Sequence, residues 1–169
     1  MNREIGGEVD TSVGGAGFGR GESKFAAFYR EHSLWAARLA YLLTADRGWA
    51  EDLMQEAFVG LYGRFDEIAN PRAYVRVSLV HLASRRRRRE RRVFLAQRLV
   101  ASPELVSDSS NEIFTVVATL PAKQRAVIVL RYVEGLSESE ISATLGCAPG
   151  TVKSLASRAL DRLRKEITP

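Results

Sequence analysis

The segment from residue 137 to residue 166 constrains the fold more than any other part of the chain. It opens with SESE, a capping box in which Ser137 caps a helix and Glu140 reaches back to the cap. Gly146 ends that short helix and Pro149 opens the next one. The inward positions of this last helix are Val152, Leu155, Ala159 and Leu163. Two helices joined by a short glycine-containing turn predict a helix-turn-helix.

The rest of the chain has the periodicity of helices and no strand-like alternation of useful length, so the predicted fold class is all-α. Ser23 is the predicted cap of a first helix, which is expected to break near Ser33. Asp46 is the predicted cap of a second helix, and Asn70 with Pro71 begins a third. The interior positions predicted for the second and third helices are Ala50, Leu53, Met54, Ala57, Phe58, Leu61, Ala73, Val77 and Val80.

These helices are predicted to form two small domains of a monomeric protein. Residues 1–22 contain seven glycines and few large apolar side chains, so residues 1–23 are predicted to be a disordered tail. Residues 24–92 form the first predicted domain, and residues 111–167 form the second, which contains the helix-turn-helix. The segment 93–110 gathers Ser, Pro and Asp and is predicted to be a flexible linker.

The composition excludes several classes of protein. Apolar residues make up 46% of the 169, which is enough for a buried core, but no apolar run is long enough to span a bilayer. Cys147 is the one cysteine, so neither a disulfide framework nor a cysteine-based metal site is predicted. His32 and His81 lie in different predicted helices with no evident nucleophile nearby. The sequence therefore predicts a cytoplasmic protein that is not an enzyme and has no cofactor and no metal.

The charged residues fall into two adjacent blocks of opposite sign, within a net charge of +5. Residues 46–67 hold six acidic residues against Arg47 and Arg64, whereas residues 72–92 hold nine arginines against Glu90. An acidic block beside a strongly basic one indicates two different partners, and the basic block suits a polyanion such as nucleic acid. The alternative is that both blocks are solvated helix faces.

Three sets of side chains are candidates for binding. Positions on the last helix that face away from its buried stripe suit DNA bases and phosphates; they are Thr151, Lys153, Ser154, Ser157, Arg158 and Arg162. Positions spaced by four and three residues on the third helix share one face, which suits stacking on opened bases; they are Tyr74, Ser78, His81, Arg85, Arg88 and Arg92. The second helix offers an acidic face suited to a basic protein surface, formed by Asp52, Gln55 and Glu56. A packed basic hairpin with no DNA role is the structural alternative for the last helix.

Long stretches of the sequence resemble one family. AYLLTADRGWAEDLMQEAF and NPRAYVRVSLVHLASRRRRR resemble region two of bacterial RNA polymerase sigma factors. LPAKQRAVIVLRYVEGLSESEISATLGCAPGTVKSLASRALDRLR resembles region four. Two such modules with a short linker between them are similar to the extracytoplasmic-function (ECF) group, and to its SigE-like actinobacterial members above all. The resemblance covers residues 24 to 166.

The resemblance implies a role for each set of side chains. Asp52, Gln55 and Glu56 would dock on the β′ clamp of the polymerase core, whose β flap is a second contact. The loop that begins at Phe65 would capture bases of the −10 promoter element. The third helix would read and melt that element, and the last helix would read the −35 element. Promoter DNA, the polymerase core and an anti-sigma factor are the partners that it implies, with no membrane insertion.

The sequence departs from the family pattern at several of these positions. Many ECF members carry Trp where Tyr74 stands, Asn where His81 stands and Arg where Leu155 stands. From the residues alone, the main alternative is a helix-turn-helix regulator that binds DNA without docking on the polymerase core. An RNA-binding protein or a nucleic-acid enzyme is a further alternative. The acidic face separates the first two hypotheses, because a simple repressor has no need of it.

Overall fold

The structure is a computed structural model that describes residues 18–97 and 112–167. Within those residues the chain is helical and has no strand, as predicted. Its seven α-helices are α1 (Phe18–Thr44), α2 (Arg47–Tyr62), α3 (Pro71–Gln97), α4 (Glu112–Thr119), α5 (Ala122–Ile128), α6 (Glu138–Leu145) and α7 (Pro149–Ile167). A 3-10 turn (Phe65–Glu67) lies between α2 and α3, and a π-helical turn (Val129–Val133) continues α5. Most of the predicted tail and linker lies outside the described residues.

The first helix is longer and more regular than predicted. It begins at Phe18, before the expected cap at Ser23, and it runs through Ser33 without the expected break. Neither glycine nor proline occurs between Glu22 and Thr44, so nothing in this stretch removes a backbone hydrogen bond. Both expectations about α1 were therefore wrong.

The second helix follows the prediction closely. The side chain of Asp46 caps it, because Oδ1 accepts a hydrogen bond from the backbone N–H of Trp49 at 2.8 Å. Its buried residues are Ala50, Leu53, Ala57, Phe58 and Leu61. Met54 is half-buried rather than buried, so the stripe is narrower than predicted.

The third helix starts where predicted but buries a different side. Asn70 Oδ1 accepts from the backbone N–H of Ala73 at 3.0 Å, and the helix begins at Pro71. Its buried residues are Val75, Leu79, Val80 and Ala83. Ala73 and Val77, which were predicted to be buried, are half-buried. The helix continues to Gln97, beyond the predicted boundary at residue 92.

The helix-turn-helix is formed by α6 and α7. Ser137 accepts from the backbone N–H of Glu140, and the Glu140 carboxylate accepts from the backbone N–H of Ser137, which completes the predicted capping box. Gly146 ends α6 with φ of +61°, a left-handed conformation that favours glycine. In α7 the residues Val152, Ala156 and Ala159 are buried. The predicted inward residues Leu155 and Leu163 are half-buried.

The helices form two bundles that pack against each other. We call α1, α2 and α3 the N-terminal bundle and α4 to α7 the C-terminal bundle. Helix α1 contacts α4, α5 and the π-helical turn, and α6 contacts α3. One apolar cluster spans both bundles, with Leu39 and Leu43 on one side and Val127, Leu130 and Val152 on the other. The arrangement places the helix-turn-helix beside the predicted base-reading helix.

Candidate nucleic-acid interface

The outer side of α7 is open to solvent. Thr151, Lys153, Ser157, Arg158 and Arg162 are exposed, whereas Ser154 is half-buried and donates to the Thr151 carbonyl at 3.0 Å. We call these six residues the α7 face. Its three cationic side chains, Lys153, Arg158 and Arg162, and its small hydroxyl side chains can approach base edges and phosphates with little steric hindrance.

Helix α6 supports the α7 face. Glu138 Oε2 lies 3.7 Å from Lys153 Nζ, so a weak ion pair steadies one cation of that face. Ser142 donates a hydrogen bond to the Cys147 carbonyl and so fixes the turn. Leu155, which stands where many relatives have Arg, packs against the apolar core. Its role in this chain is therefore packing, and the candidate cations lie elsewhere on α7.

The side of α3 that was predicted to contact opened DNA bases is only partly exposed to solvent. His81, Arg85 and Arg88 are exposed, whereas Tyr74 and Ser78 are half-buried. We call these five residues the α3 face. The side chain of Arg92, which shares their spacing, is not among those described.

Tyr74 lies at the seam between α2 and α3. Its hydroxyl donates to the Gly60 carbonyl at 3.1 Å. A Cβ at Gly60 would lie 3.3 Å from that hydroxyl, so the absence of a side chain at Gly60 leaves room for the Tyr74 hydroxyl at this carbonyl. The ring is therefore oriented by a specific contact.

His81 contacts the C-terminal bundle. Its Nε2 lies 3.2 Å from the backbone carbonyl of Thr144 in α6. Because a carbonyl oxygen can only accept, Nε2 carries the proton in this contact. One edge of the His81 ring, a candidate for reading bases, is therefore occupied by a contact with the C-terminal bundle.

Phe65 belongs to an aromatic cluster. Its ring centroid lies 5.6 Å from that of Phe25 and 5.4 Å from that of Phe28, and Phe25 also makes an edge contact with Phe58. Such pairs contribute about 0.5–1.5 kcal/mol beyond their burial. Phe65 is half-buried, so much of its ring anchors the loop to the N-terminal bundle.

The acidic face lies on α2 and is exposed. Asp52 accepts a hydrogen bond from Arg86 of α3 at 3.1 Å, and that guanidinium lies 4.6 Å from the Trp49 ring centroid. Gln55 and Glu56 are exposed. The charge of Asp52 is thus partly balanced by α3, whereas the Gln55 and Glu56 side chains are presented to solvent.

Val59 extends the acidic face, and the sequence reasoning missed it. It follows Glu56 by three residues and Gln55 by four, so it shares their side of the helix, and 75% of it is exposed. A signal was available, because Val59 is a large apolar residue outside the buried stripe of α2. An apolar side chain beside acidic ones is typical of a protein-binding surface.

Among residues 18–97 and 112–167 no group of His, Cys, Asp or Glu is arranged to hold a metal ion. No helix within these ranges is long and apolar enough to cross a bilayer. Two family matches then decide the identity. Sigma-70 region 2 matches residues 28–93, and sigma-70 region 4 matches residues 110–163.

The chain belongs to the sigma-70 family of RNA polymerase sigma factors. The sigma factor is 37% identical to the RNA polymerase sigma-E factor of Streptomyces avermitilis over 155 residues, which is 85% of each chain. It is 34% identical to the sigma-E factor of Streptomyces coelicolor over 154 residues, 85% of this chain and 86% of that one. The ECF sigma factor SigE of Mycolicibacterium smegmatis is 34% identical over 80% of this chain and 58% of its own length. These relatives confirm the ECF group predicted from the sequence motifs.

Two solved structures have the same fold. The sigma factor RpoE from Bartonella quintana, solved with the anti-sigma factor NepR, superposes with a TM-score of 0.66 at 24% identity, over 85% of this chain and 99% of that one. CnrH, solved with the cytosolic domain of CnrY, gives 0.59 at 22%, over 86% and 88%. As a sigma factor the protein directs RNA polymerase to promoters, which is a regulatory role.

Proposed function

We propose that the sigma factor divides promoter recognition among three surfaces, namely the α7 face, the α3 face and the acidic face with Val59. The observation that carries this proposal is their placement. Each surface lies on a separate helix whose opposite side is committed to packing, so a partner can approach it from solvent; on the α3 face only the contact of His81 with Thr144 has to be replaced. A regulator that acts without the polymerase core needs the α7 face alone.

The α7 face is proposed to read the −35 element as duplex DNA. Lys153 and Arg158 are exposed in the N-terminal half of the second helix of a helix-turn-helix, where base edges are met in the major groove. Each good bidentate base contact contributes about 1–3 kcal/mol of discrimination. Thr151, Ser154 and Ser157 add contacts to bases or phosphates, and Arg162 lies further along, where a phosphate contact is expected.

The α3 face is proposed to act on the −10 element as its strands separate. Tyr74 offers an aromatic ring, and stacking of a base on such a ring contributes about 1–3 kcal/mol. Ser78 and His81 supply hydrogen-bonding groups, and Arg85 and Arg88 supply phosphate contacts. Phe65 is proposed chiefly to hold the capturing loop in place, because its ring packs against Phe25 and Phe28.

The acidic face is proposed to dock on the β′ clamp of the polymerase core, with the β flap as a second contact of the C-terminal bundle. Gln55 and Glu56 supply polar and charged groups, and Val59 supplies apolar area beside them. Charges at the rim of such an interface guide association, whereas buried apolar contacts slow dissociation. We therefore expect Val59 to affect the dissociation rate and Glu56 to affect the association rate.

The cellular location, the oligomeric state, the domain bounds and a further partner of the protein are also proposed. The protein works in the cytoplasm as a monomer when free, has no catalytic chemistry of its own and needs no cofactor or metal. The two domains are proposed to follow the predicted division into 24–92 and 111–167, except that α1 extends the first domain back to Phe18 and α3 extends it forward to Gln97. An anti-sigma factor is a further proposed partner, because a structural relative was solved with one.

Reconstituted transcription tests the proposal. Core polymerase from an actinobacterium is mixed with the purified protein and fragmented genomic DNA, and transcript 5′ ends are mapped. We expect start sites that share two upstream elements and that disappear when the protein or the core is omitted. Sequence-specific DNA binding without core polymerase, together with no new start sites, would favour the regulator instead.

A further inference from the structure

A carboxylate lies beside the cations of the α7 face. Glu138 is the first residue of α6, and its Oε2 lies 3.7 Å from the Nζ of Lys153. The Lys153 side chain is 70% exposed and the Glu138 side chain is 32% exposed, so both can reach a partner that approaches from solvent. The surface proposed to meet the −35 duplex therefore includes a negative charge next to one of its cations.

Both side chains line one groove on this surface. The groove has a volume of about 280 Å³ and lies between the π-helical turn, the start of α6 and α7. Arg131 and Tyr132 border it on the side of the π-helical turn, and Ser157 borders it on α7. Because Lys153 and Ser157 also belong to the α7 face, the groove opens onto the side of α7 that is proposed to enter the duplex. Glu138 is therefore placed where DNA is expected.

A negative charge in this position needs an explanation. Exposed ion pairs stabilise a folded protein little, so stability alone does not account for Glu138. DNA phosphates repel a carboxylate, so Glu138 weakens binding to every duplex. Specificity is a difference between affinities, and such a charge improves discrimination when one sequence offers it a hydrogen bond and the others do not.

The chemistry of the major groove defines that sequence. A carboxylate can accept only from an exocyclic amino group, which cytosine presents as N4 and adenine as N6. Adenine also presents the acceptor N7 beside its amino group, and this atom repels a carboxylate, so cytosine is the better partner. Lys153 has the opposite requirement, which the O6 and N7 acceptors of guanine meet.

The two side chains are spaced like neighbouring base pairs. The distance between Lys153 Nζ and Glu138 Oε2 is 3.7 Å, and successive base pairs of a duplex are about 3.4 Å apart along its axis. Lys153 can therefore contact a guanine in one base pair while Glu138 contacts a cytosine in the next.

We propose that Glu138 is a specificity-determining residue, which accepts a hydrogen bond from the N4 amino group of a cytosine adjacent to the base pair that Lys153 contacts. This inference rests on the −35 role proposed for the α7 face. The same carboxylate competes with DNA phosphates for Lys153, and so it disfavours duplexes that lack the cytosine. Glu138 thus lowers the general affinity for DNA and raises the preference for one sequence.

The test uses the holoenzyme formed from the full chain and core polymerase. It selects duplexes from a library in which the −10 region of a promoter mapped by reconstituted transcription is fixed and the upstream segment is randomised. The parent should enrich a motif that contains two adjacent G·C pairs. Glu138→Ala should lose about tenfold of the discrimination at one of these pairs and keep it at the other. Lys153→Gln should instead relax the other pair.

Two further variants separate base reading from charge. Glu138→Asp keeps the charge but is one methylene shorter, so it should lose the cytosine preference and still bind a random-sequence duplex as weakly as the parent does. Glu138→Ala should bind that duplex more tightly, with a slope of log K against log salt that is steeper by about 1, because Lys153 then pairs with a phosphate. Glu166→Ala removes the same charge at an exposed position near the other end of α7, and it should change neither the motif nor the slope.

The outcomes separate this inference from the proposed function. An unchanged motif in Glu138→Ala overturns the inference and leaves the −35 role of the α7 face intact. Relaxation at the guanine of Lys153 alone also overturns it, because Glu138 then only positions that side chain. Tighter binding of every duplex with no loss of preference overturns it as well, because Glu138 then acts only by repelling phosphates. If the parent selects no upstream motif, the −35 role fails and the reading of cytosine fails with it.

Discussion

Helices α3 and α7 are both basic, and both were predicted from sequence to contact DNA, yet they are presented very differently. Most of the α7 face is open to solvent, and the ion pair of Lys153 with Glu138 stays within the helix-turn-helix. On α3, by contrast, Arg72 and Arg76 bind Glu134 and His81 contacts Thr144, all across the bundle interface. The α7 face is therefore accessible to a partner in this structure, whereas α3 is partly occupied by contacts with the C-terminal bundle.

This difference shows that two helix faces with similar patterns of basic residues in the sequence can differ in how accessible they are in the folded protein. The duplex recognition proposed for α7 needs no rearrangement of the described structure. On α3, the His81 ring already contacts the Thr144 carbonyl of α6, so a base that approaches His81 Nε2 has to replace this contact.

The largest expected effect comes from the α7 face. Replacing Lys153 and Arg158 together by Ala should lower −35 binding by about 2 kcal/mol or more, roughly 30-fold, since each good base contact contributes about 1–3 kcal/mol. Transcription from a natural promoter should fall accordingly, whereas opening of a template with a pre-melted −10 region should be spared. Run-off transcription on the two templates measures this.

The matched control for that pair is Lys24→Ala with Lys123→Ala, two exposed lysines outside the α7 face. It removes the same charge and should lower binding only through non-specific electrostatics. Equal losses in the control and in the Lys153 and Arg158 variant would reduce the α7 face to a general basic surface.

Polymerase docking should show the next largest effect. Gln55→Lys with Glu56→Lys places two positive charges on the acidic face, and we expect core binding to weaken by about 2 kcal/mol, or roughly 30-fold. Both side chains are exposed, so the fold should be unchanged by circular dichroism. Fluorescence anisotropy with labelled core polymerase measures the affinity. The control is Glu31→Lys, which changes the charge by the same amount as Glu56→Lys but at a position outside the acidic face. Normal core binding by the double variant would contradict the docking assignment.

A smaller effect is expected at Tyr74, and it acts downstream only. Tyr74→Ala should make strand opening less favourable by about 1 kcal/mol, because one stacking surface is lost. Binding to a −35 duplex should be retained, and permanganate footprinting of the −10 region should show a smaller reactive bubble. Tyr74→Phe keeps the ring and loses only the hydrogen bond to the Gly60 carbonyl. If Phe is as defective as Ala, the hydroxyl contact rather than stacking is the function of this residue.

The smallest effect is expected from the capping box at the N-terminus of α6, the helix that contacts both α3 and α7. Ser137→Ala should destabilise the protein by about 1 kcal/mol. The Ser137 side chain and then its backbone N–H donate to the Glu140 carboxylate and lower the pKa of that group. Because the folded pKa is the lower one, this stabilisation is present at neutral pH and is lost as the pH falls through the folded pKa.

Thermal unfolding of the parent and of Ser137→Ala, from neutral pH to below the folded pKa of Glu140, measures the difference in stability between the two proteins. This difference should become smaller as the pH falls. Hydrogen exchange should locate the loosening in α6 and α7 and leave α1 and α2 unaffected. Faster exchange in the N-terminal bundle as well would mean that the two bundles unfold as one unit.

The sequence by itself determined the local structure. The cap at Asp46, the start at Pro71, the capping box at Ser137 and the end at Gly146 each depend on hydrogen bonds between residues a few positions apart. The acidic face and the exposed side of α7 follow from helical spacing for the same reason. Such signals are readable because their energies depend on near neighbours in the chain.

The tertiary structure decided what local spacing cannot encode. The buried side of α3 is set by the helices that pack on it, which is why Val75 and Leu79 are buried and Ala73 and Val77 are not. Glu134 is in sequence an ordinary acidic residue before a glycine turn, but in the structure its buried carboxylate accepts a hydrogen bond from Trp35, 99 residues away. Periodicity gives the faces of a helix, but only packing in three dimensions selects which distant residue each face meets.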